Sequence, residues 1–307
     1  MRASAIIRII IWSLVAWALS VVLIQGLTTG FSFGGIHLFG SFSYADSEQY
    51  LVGSNQIDMR EISEIEINWG AGEVQIIPYE GSEVVFREQA GRALLEEDMM
   101  RFYLRGGKLT IQFCAPKRGF RIFSNTPSKS LEVKIPYALA SSLTELDVNS
   151  ISAPVSIQAV SGAEMKVSSV SGAIHISDLS CQQLDLETVS GGIRGENIQA
   201  TELDLESVSG AIDISGGFQE VSGNSVSGNL TLRSDICPRK VDAETVSGGV
   251  RLQIPENDGF TAQYHTTSGQ FYSNFPTTAE KKRAVYKNGG AEFSFDTVSG
   301  SIDIERL

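Results

Sequence analysis

The tripeptide Val-Ser-Gly recurs along the chain at a nearly constant interval, and no other feature constrains the fold as strongly. Seven copies, one of which is written Thr-Ser-Gly, end at Gly172, Gly191, Gly210, Gly228, Gly248, Gly269 and Gly300. Successive copies are separated by 19, 19, 18, 20, 21 and 31 residues. A period of this length is typical of repeat proteins, whose units bury their apolar surface only by stacking on one another.

Short segments of alternating apolar and polar residues flank the copies. Leu-Asp-Leu-Glu-Thr (184–188) precedes one copy, and Ala-Ile-Asp-Ile (211–214) belongs to the segment after another. Alternation with period two predicts half-buried strands, two in each repeat. We therefore predict an all-β fold, a right-handed parallel β-solenoid in which rungs of 19 residues stack about 4.8 Å apart.

The register of such a stack assigns a direction to each column of residues. The aliphatic side chains predicted to point inward are Leu184, Leu186, Leu203, Leu205, Ile212 and Ile214. The column predicted to point outward contains Asp147, Lys166, Asp185, Asp204, Ser222 and Asp242. The repeat glycines are expected at a corner that requires either a positive φ or the absence of a side chain. The serines beside them are expected to form hydroxyl ladders along the stack, which is a structural role rather than a nucleophilic one.

The N-terminal segment predicts a membrane anchor. Residues 9–27 contain no charge, and Arg2 and Arg8 precede them. A helix of this length spans about 28 Å, close to the thickness of the hydrocarbon core. Because the nearby positive charge lies on the N-terminal side, we expect residues 1–8 in the cytoplasm and the rest of the chain outside a cell membrane. A cleaved signal peptide is the alternative.

Composition and the regularity of the repeat divide the remainder of the chain into a linker and a solenoid. Residues 28–60, rich in Gly and Ser, are predicted to be a juxtamembrane linker, and residues 61–307 an extracytoplasmic solenoid. Residues 61–145 follow the repeat loosely and are predicted to form irregular rungs or a cap, whereas residues 146–307 carry the regular repeats. Within the irregular part, residues 101–113 are typical of a hairpin that turns at two consecutive glycines.

Charge and cysteine content exclude some classes of protein. The chain has 24 basic and 36 acidic residues, a net charge of −12, so we expect no nucleic-acid partner. Its three cysteines, at unrelated spacings, do not indicate a disulfide framework. The segment 117–130 is basic, in contrast to the acidic chain as a whole, and its sequence does not indicate a function.

The sequence predicts no enzyme activity and no cofactor. His37, His175 and His265 show no metal-ligand spacing, and no nucleophile elbow, phosphate-binding loop or zinc motif is present. The aromatic residues available to hold a sugar are scattered, namely Trp69, Tyr264, Phe271 and Tyr272.

Two pairs of carboxylates are the candidate metal ligands. Stacking places Asp185 beside Asp204 and Glu187 beside Glu206, each pair about 4.8 Å apart. We favour a solvated ladder screened by salt. A weak Ca²⁺ site is the second interpretation, and a carboxylate pair for glycoside cleavage is the third.

Several segments together resemble one family. They are the repeats of form VSGxIxI, IEINWGAGEVQII (65–77), the strand SLEVKIP (130–136) and the ending NGGAEFSFDTVSGSIDI (288–304). Over residues 60–307 the chain is similar to the bacterial "putative adhesin" family of LiaG-like β-solenoid domains. The resemblance implies a membrane-anchored envelope protein and carries no catalytic residues over to this chain.

These observations favour a non-catalytic, membrane-anchored scaffold or recognition module of the cell envelope, adhesin-like and linked to envelope stress. Its expected partners are the membrane, through the N-terminal helix, and a cell-wall polymer or an envelope protein. The alternatives are a polysaccharide-acting β-helix enzyme and a self-assembling structural element.

Overall fold

The computed structural model describes residues 32–33, 36–37, 41–118 and 128–307 and is built mainly of β-strands. The predicted transmembrane helix at 9–27 lies outside these ranges. Within them, no helix combines the length and the apolar character that a membrane crossing requires. The one α-helix of the described chain is the short α1 (Tyr137–Ala140).

The strands before α1 are irregular in length. They are β1 (Ser32–Phe33), β2 (Ile36–His37), β3 (Ser41–Phe42), β4 (Leu51–Val52), β5 (Asn55–Asp58), β6 (Glu64–Trp69), β7 (Gly72–Tyr79), β8 (Glu83–Ala90), β9 (Arg101–Arg105), β10 (Lys108–Gln112), β11 (Lys117–Arg118) and β12 (Lys129–Pro136). The predicted hairpin is confirmed, because β9 and β10 pair antiparallel across Gly106 and Gly107, both of which have positive φ.

The strands after α1 carry the Val-Ser-Gly repeats. They are β13 (Leu143–Ser150), β14 (Val155–Gln158), β15 (Ser161–Ser169), β16 (Ile174–Thr188), β17 (Ile193–Ser207), β18 (Ile212–Ser225), β19 (Leu230–Ser234), β20 (Lys240–Thr245), β21 (Val250–Ile254), β22 (Gly259–Thr266), β23 (Phe271–Ser273), β24 (Thr278–Glu280), β25 (Arg283–Lys287), β26 (Ala291–Thr297) and β27 (Ile302–Arg306).

Parallel pairing stacks these strands into ten rungs, each with one strand on face A and one on face B. Face A runs in the order β10, β6, β13, β15, the second halves of β16, β17 and β18, then β20, β26 and β22. Face B runs in the order β12, β7, β14, the first halves of β16, β17 and β18, then β19, β21, β27 and β23. The predicted parallel, in-register stack is confirmed; its right-handed sense stays a prediction.

The order of rungs in space departs from chain order at both ends. At the N-terminal end, β6 lies between β10 and β13, although β10 comes later in the chain than β6. At the C-terminal end, β26 pairs with both β20 and β22, so the last rung of the chain is inserted between two earlier ones. This insertion explains the 31-residue interval before the final Val-Ser-Gly.

Antiparallel strands cover the outermost rungs. At the N-terminal end β9 pairs with β10 and β8 pairs with β12. At the other end β25 pairs with β22. Strands β4 and β5 extend the N-terminal cover by pairing with β9 and β8, although residues 51–58 fall inside the predicted linker. Antiparallel covers leave no parallel edge at these positions for further rungs to extend.

The N-terminal end also buries an ion pair. The side chain of Lys129 is fully buried, and its Nζ lies 2.7 Å from Glu88 Oε2 and 4.6 Å from the ring centre of Phe113. The indole N–H of Trp69 donates to the Lys129 carbonyl at 2.9 Å. The predicted sugar platform therefore loses Trp69, which is completely buried.

The core between the two faces is aliphatic. The six side chains predicted to point inward, from Leu184 to Ile214, are at most 1 % exposed. The predicted outward column is also in register, since Asp147, Lys166, Asp185 and Asp204 are successive partners on face A. Two-residue periodicity therefore assigned both faces correctly.

The repeat glycines allow neighbouring rungs to approach closely. None of the seven has a positive φ, so that part of the expectation is wrong. A Cβ on Gly191 would lie 2.1 Å from the carbonyl oxygen of Gly172, and one on Gly210 would lie 1.8 Å from that of Gly191. Such distances are far inside van der Waals contact, so the column excludes side chains for steric reasons.

A column of positive φ does exist, at a different corner. Ala159, Asp178 and Asn197 lie at successive rungs with φ of 51°, 56° and 55°. Asn197 Nδ2 donates to Asp178 Oδ1 at 2.8 Å, which links two of these rungs. Asp and Asn tolerate this backbone conformation better than most residues, which explains two of the three positions; Ala159 adopts it without that preference.

Hydroxyl groups on both sides of the corner bind to the backbone. Ser171, Ser190 and Ser209 each donate through Oγ at 3.2 Å to a carbonyl of the preceding rung, rather than to one another as expected. The residue before each tripeptide is Ser or Thr, and at Thr245 and Thr297 its buried hydroxyl accepts the N–H of the repeat glycine. The corner motif is therefore four residues long, a Ser or Thr followed by the tripeptide. The hydroxyl of its first residue closes the turn.

Replacing Gly191 with alanine is expected to lower the free energy of unfolding by about 1–3 kcal/mol, because the new methyl group displaces the neighbouring rung. Gly192→Ala is the matched control, since a Cβ there meets its nearest atom at 3.6 Å. Urea unfolding of the two variants measures the difference. Equal stabilities would contradict the steric role of the column.

Candidate functional site

Face A is strongly acidic. Its outward columns contain the carboxylates Glu64, Glu66, Glu145, Asp147, Glu164, Asp185, Glu187, Glu202, Asp204, Glu206, Glu220, Asp242, Glu244, Glu292 and Asp296. The lysines in the same columns are Lys108, Lys166 and Lys240. In-register stacking thus converts a repeated motif into parallel rows of like charge.

The two predicted carboxylate pairs are adjacent. Asp185 is the partner of Asp204, and Glu187 is the partner of Glu206, on neighbouring strands. Lys166 Nζ lies 2.8 Å from Glu187 Oε1 and offsets part of the repulsion. Burial, followed by the neighbouring carboxylates, raises the pKa of Asp204 and of Glu206.

The described part of the chain contains no cluster of side chains that supports the predicted metal site. Within its ranges, no three His, Cys, Asp or Glu side chains are grouped so that they could hold a metal ion. A Ca²⁺ site at the two pairs stays a prediction.

Asp147 is the most perturbed carboxyl of face A. Its pKa is raised to about 6, first by burial and then by the charges of Glu66 and Glu145, against the opposing effect of Lys108 and Lys166. Asn149 Nδ2 donates to Asp147 Oδ1 at 3.0 Å. The folded protein therefore binds a proton at this position more tightly than the unfolded chain does.

A groove of about 540 Å³ opens where face A meets the N-terminal cover. Strands β6, β9 and β10 form its floor, and residues 43–50 form one wall. The side chains that matter most for its chemistry are Tyr44, Tyr50, Tyr103, Glu66, Lys108 and Gln112.

Three tyrosine rings follow one another along the groove. The ring centres of Tyr44 and Tyr50 are 4.7 Å apart, and those of Tyr50 and Tyr103 are 5.2 Å apart. The Tyr44 hydroxyl donates to the Cys114 carbonyl at 3.1 Å, and the Tyr103 hydroxyl donates to Gln49 Oε1 at 2.6 Å. These hydrogen bonds fix the two outer rings, while burial raises the pKa of Tyr50 between them.

The charged side chains of the groove are paired with one another. Lys108 Nζ lies 3.0 Å from Glu66 Oε2, and Arg105 Nη1 lies 3.3 Å from Asp46 Oδ2. Each basic group thus has an acidic partner inside the same groove. The groove presents hydrogen-bonding groups without a free ionic charge of its own.

Two buried amide oxygens at the groove lack partners. Gln112 is 3 % exposed and Asn68, its partner in the ladder between β10 and β6, is completely buried. Neither Gln112 Oε1 nor Asn68 Oδ1 accepts a hydrogen bond from any group in the described chain. Gln112 lines the groove, but its Oε1 has almost no accessible surface, and the Gln112 side chain hydrogen-bonds with Tyr50.

The other predicted aromatic residues lie at the opposite end of the solenoid. Tyr264 and Phe271 stack with ring centres 4.0 Å apart, and Tyr272 is 56 % exposed. They are not brought together with Trp69 or with the groove. His265 Nδ1 lies 3.4 Å from Asp296 Oδ1, and no serine or cysteine in the described ranges hydrogen-bonds to that imidazole.

Sequence reasoning missed the groove. Tyr44 and Tyr50 lie in the predicted linker, and Tyr103 lies in the irregular N-terminal part. The signal available was the presence of two tyrosines close together in a Gly/Ser-rich segment.

The fold defines an all-β, parallel solenoid-like domain with a groove at its N-terminal end. A profile of the Toastrack family, DUF4097, matches residues 62–305, and the chain belongs to that family. The matched region is most of the chain and contains β6 to β10 and all of the Val-Ser-Gly repeats. A search of curated proteins gave no match.

Several solved structures are similar to this chain over most of its length. A protein of Parabacteroides distasonis described as a putative lipid binding protein is 16 % identical, with 83 % of this chain and 96 % of that chain covered and a TM-score of 0.49. A putative adhesin of Bacteroides fragilis is 11 % identical, with 84 % and 97 % covered and a TM-score of 0.48. A putative adhesin of P. distasonis is 14 % identical, with 84 % and 97 % covered and a TM-score of 0.47.

The raised pKa of Asp147 predicts a stability that depends on pH. Because the folded pKa is above the ordinary value of 3.8, the protein gains stability as the pH falls through 6. Asp147→Asn is expected to reduce the gain between pH 7 and pH 5 by about 1 kcal/mol. Urea unfolding at the two pH values measures it.

The exposed Asp235, replaced by Asn, provides the control for this comparison. The same pH dependence in wild type and Asp147→Asn would show that Asp147 does not bind the proton.

Proposed function

We propose that this protein is a non-catalytic recognition module of the cell envelope, adhesin-like, which binds its ligand in the tyrosine groove. The observation that carries the proposal is the groove itself, with three neighbouring tyrosine rings along it and charged side chains paired within it. Concave sites with aromatic walls and a few fixed polar groups are typical of ligand binding.

The absence of catalysis is part of the proposal. The serines of the repeat donate their hydroxyl protons to backbone carbonyls, which makes them structural. The paired carboxylates of face A form continuous rows rather than a convergent pair within a cleft. These features favour binding over a polysaccharide-acting enzyme.

The antiparallel covers favour a discrete domain over a self-assembling filament. Strands β9 and β8 occupy both edges of the N-terminal rung, and β25 occupies the face A edge at the other end, so further parallel rungs cannot add at these three edges. A rigid stack of rungs would hold the groove at a defined distance from the point where the chain leaves the solenoid.

Location at the membrane is proposed from the sequence. The charge-free segment 9–27 and the preceding Arg2 and Arg8 support an anchor with residues 28–307 outside the cytoplasm. Envelope stress remains the proposed setting, supported by the family resemblance.

Full-length protein in detergent is expected to bind isolated bacterial cell-wall polymer in a saturable manner. Tyr50→Ala is expected to weaken that binding by about tenfold or more, because the central ring of the groove is lost. A sedimentation assay over a range of polymer concentrations measures both. Tyr272→Ala removes an exposed tyrosine at the other end and is the control.

Thermal unfolding of each variant establishes whether it is folded, and Tyr103→Ala provides a second test of the groove if Tyr50→Ala unfolds. Absence of saturable binding, or equal binding by wild type and both groove variants, would overturn the proposal.

If residues 9–27 anchor the protein, a C-terminally tagged chain is expected to sediment with membranes. Protease added to cells stripped of their wall or outer membrane is expected to remove the tag. Replacing Arg2 and Arg8 with glutamate is expected to reduce the protease-sensitive fraction. A soluble secreted product would show instead that the N-terminal segment is cleaved.

A further inference from the structure

We infer that two copies of this chain pair edge to edge through β23, antiparallel and related by a two-fold axis, to form a closed dimer. The inference goes beyond the proposed function and does not depend on what the tyrosine groove binds. The pairing joins the C-terminal ends of the two solenoids and places the two grooves at opposite ends of the dimer. Four properties of β23 and its surroundings support it.

β23 is the outermost strand of face B at the C-terminal end, and it has no cover. The three other outermost rung strands, β10, β12 and β22, pair antiparallel with β9, β8 and β25. Within the described ranges, β23 pairs with β27 alone. The cover strands β5 and β24 end in Asp58 and Glu280, and charged residues of this kind keep an edge from pairing. β23 is Phe-Tyr-Ser and carries no charge.

The backbone of β23 has free hydrogen-bonding groups on its outer side. The Ile302 N–H donates to the Gln270 carbonyl at 2.9 Å, and the Asn274 N–H donates to the Ile304 carbonyl at 3.2 Å. Adjacent residues of a strand direct their backbone groups to opposite edges. Residues 270, 272 and 274 therefore face β27, whereas Phe271 and Ser273 direct two N–H and two C=O groups away from it, where the described chain has no further strand.

These free groups are complementary to those of a second copy. With a two-fold axis at residue 272, Phe271 of each copy lies opposite Ser273 of the other. Residues in such a pair exchange both of their hydrogen bonds, so the two pairs make four. Between them the two copies of Tyr272 form the pair without hydrogen bonds, with Cα atoms about 4.5 Å apart. The dimer uses the uncovered rung strand of each copy, so none is left for a third copy.

The side chains of this edge are apolar and accessible. Tyr272 is 56 % exposed, and the partly exposed rings of Phe271 and Tyr264 stack with their centres 4.0 Å apart. Pairing of two copies removes part of this aromatic surface from water, which stabilises the dimer. The preceding positions in the outward column of Tyr272 are charged, namely Arg251 and Asp303, so the column becomes apolar only at the edge strand.

Charge favours contact between copies at this edge. The chain has a net charge of −12, so two copies repel each other over much of their surface, but residues 266–279 contain no charge. The first carboxylate in the outward column of Tyr272 is Asp303 on β27. In the dimer the two Asp303 residues are three strand spacings apart, about 14 Å. That distance exceeds the screening length of about 8 Å at physiological salt, so their repulsion is weak.

The first test uses full-length protein in detergent with Tyr272→Cys. The axis brings the two thiols within reach of a disulfide, so mild oxidation is expected to convert most of this variant into a covalent dimer on a non-reducing gel. His175→Cys is the matched control, since His175 is exposed in the same outward column but lies in the middle of face B. This control and the wild type, with its three native cysteines, should stay largely monomeric on the gel.

The second test weakens the dimer with two substitutions. Tyr272→Lys places two positive charges against each other at the axis, and Ser273→Pro removes two of the four hydrogen bonds between copies while keeping the ladder with β27. Each is expected to raise the dissociation constant of the dimer about tenfold or more, as measured by sedimentation equilibrium in detergent of matched density. His175→Lys should leave the constant unchanged, and thermal unfolding establishes that each variant is folded.

A wild-type protein that is monomeric at all concentrations overturns the inference. A dimer that persists unchanged in both Tyr272→Lys and Ser273→Pro also overturns it, because the contact then lies elsewhere. Equal cross-linking of Tyr272→Cys and His175→Cys overturns the assigned axis, and oligomers larger than a dimer contradict its closure. None of these outcomes bears on the proposed function, which the Tyr50→Ala variant tests separately.

Discussion

Contact between the backbones of successive rungs at the glycine column sets the geometry of the whole domain. Six of the seven repeat glycines lie against the carbonyl oxygen of a repeat glycine in a neighbouring rung, and Gly172 lies against that of Ala153, at distances that leave no space for a Cβ. The contact forces neighbouring rungs into a single register, because a shift by one residue would bring a side chain into that space. Every column of the two faces follows from this register, including the aliphatic core and the rows of carboxylates.

The rows of negative charge on face A result from that register. Repeating an Asp or Glu at the same position places like charges on adjacent strands, as at Asp185 and Asp204. The protein offsets the repulsion locally, with Lys166 at Glu187 and with a raised pKa at Asp147. The tyrosine groove, the larger of the two described cavities, lies where the repeat becomes irregular.

Residue periodicity was sufficient for the regular part of the fold and insufficient for its ends. Leu184 and Leu203 could be assigned to the core from alternation alone, because successive side chains of a strand point to opposite faces of the sheet. The insertion of β26 between β20 and β22 could not be foreseen, because spacing along the chain says nothing about which rungs are neighbours in space. The groove was missed for a related reason: Tyr50 and Gln112 are far apart in sequence and meet only through the pairing of β4, β9 and β10.

The insertion of the last rung has a consequence for how the chain can be completed during synthesis. A polypeptide that emerges from its N-terminus forms the rungs up to β21 in order, but β22 has no parallel partner until β26 arrives. Until residues 291–306 are available, the C-terminal third of the domain holds an open slot, bounded by β20 and β21 on one side and by β22 and β23 on the other. The final strands thus complete this end of the stack: a product truncated before residue 291 retains most of its sequence but lacks the four parallel ladders that β26 and β27 make.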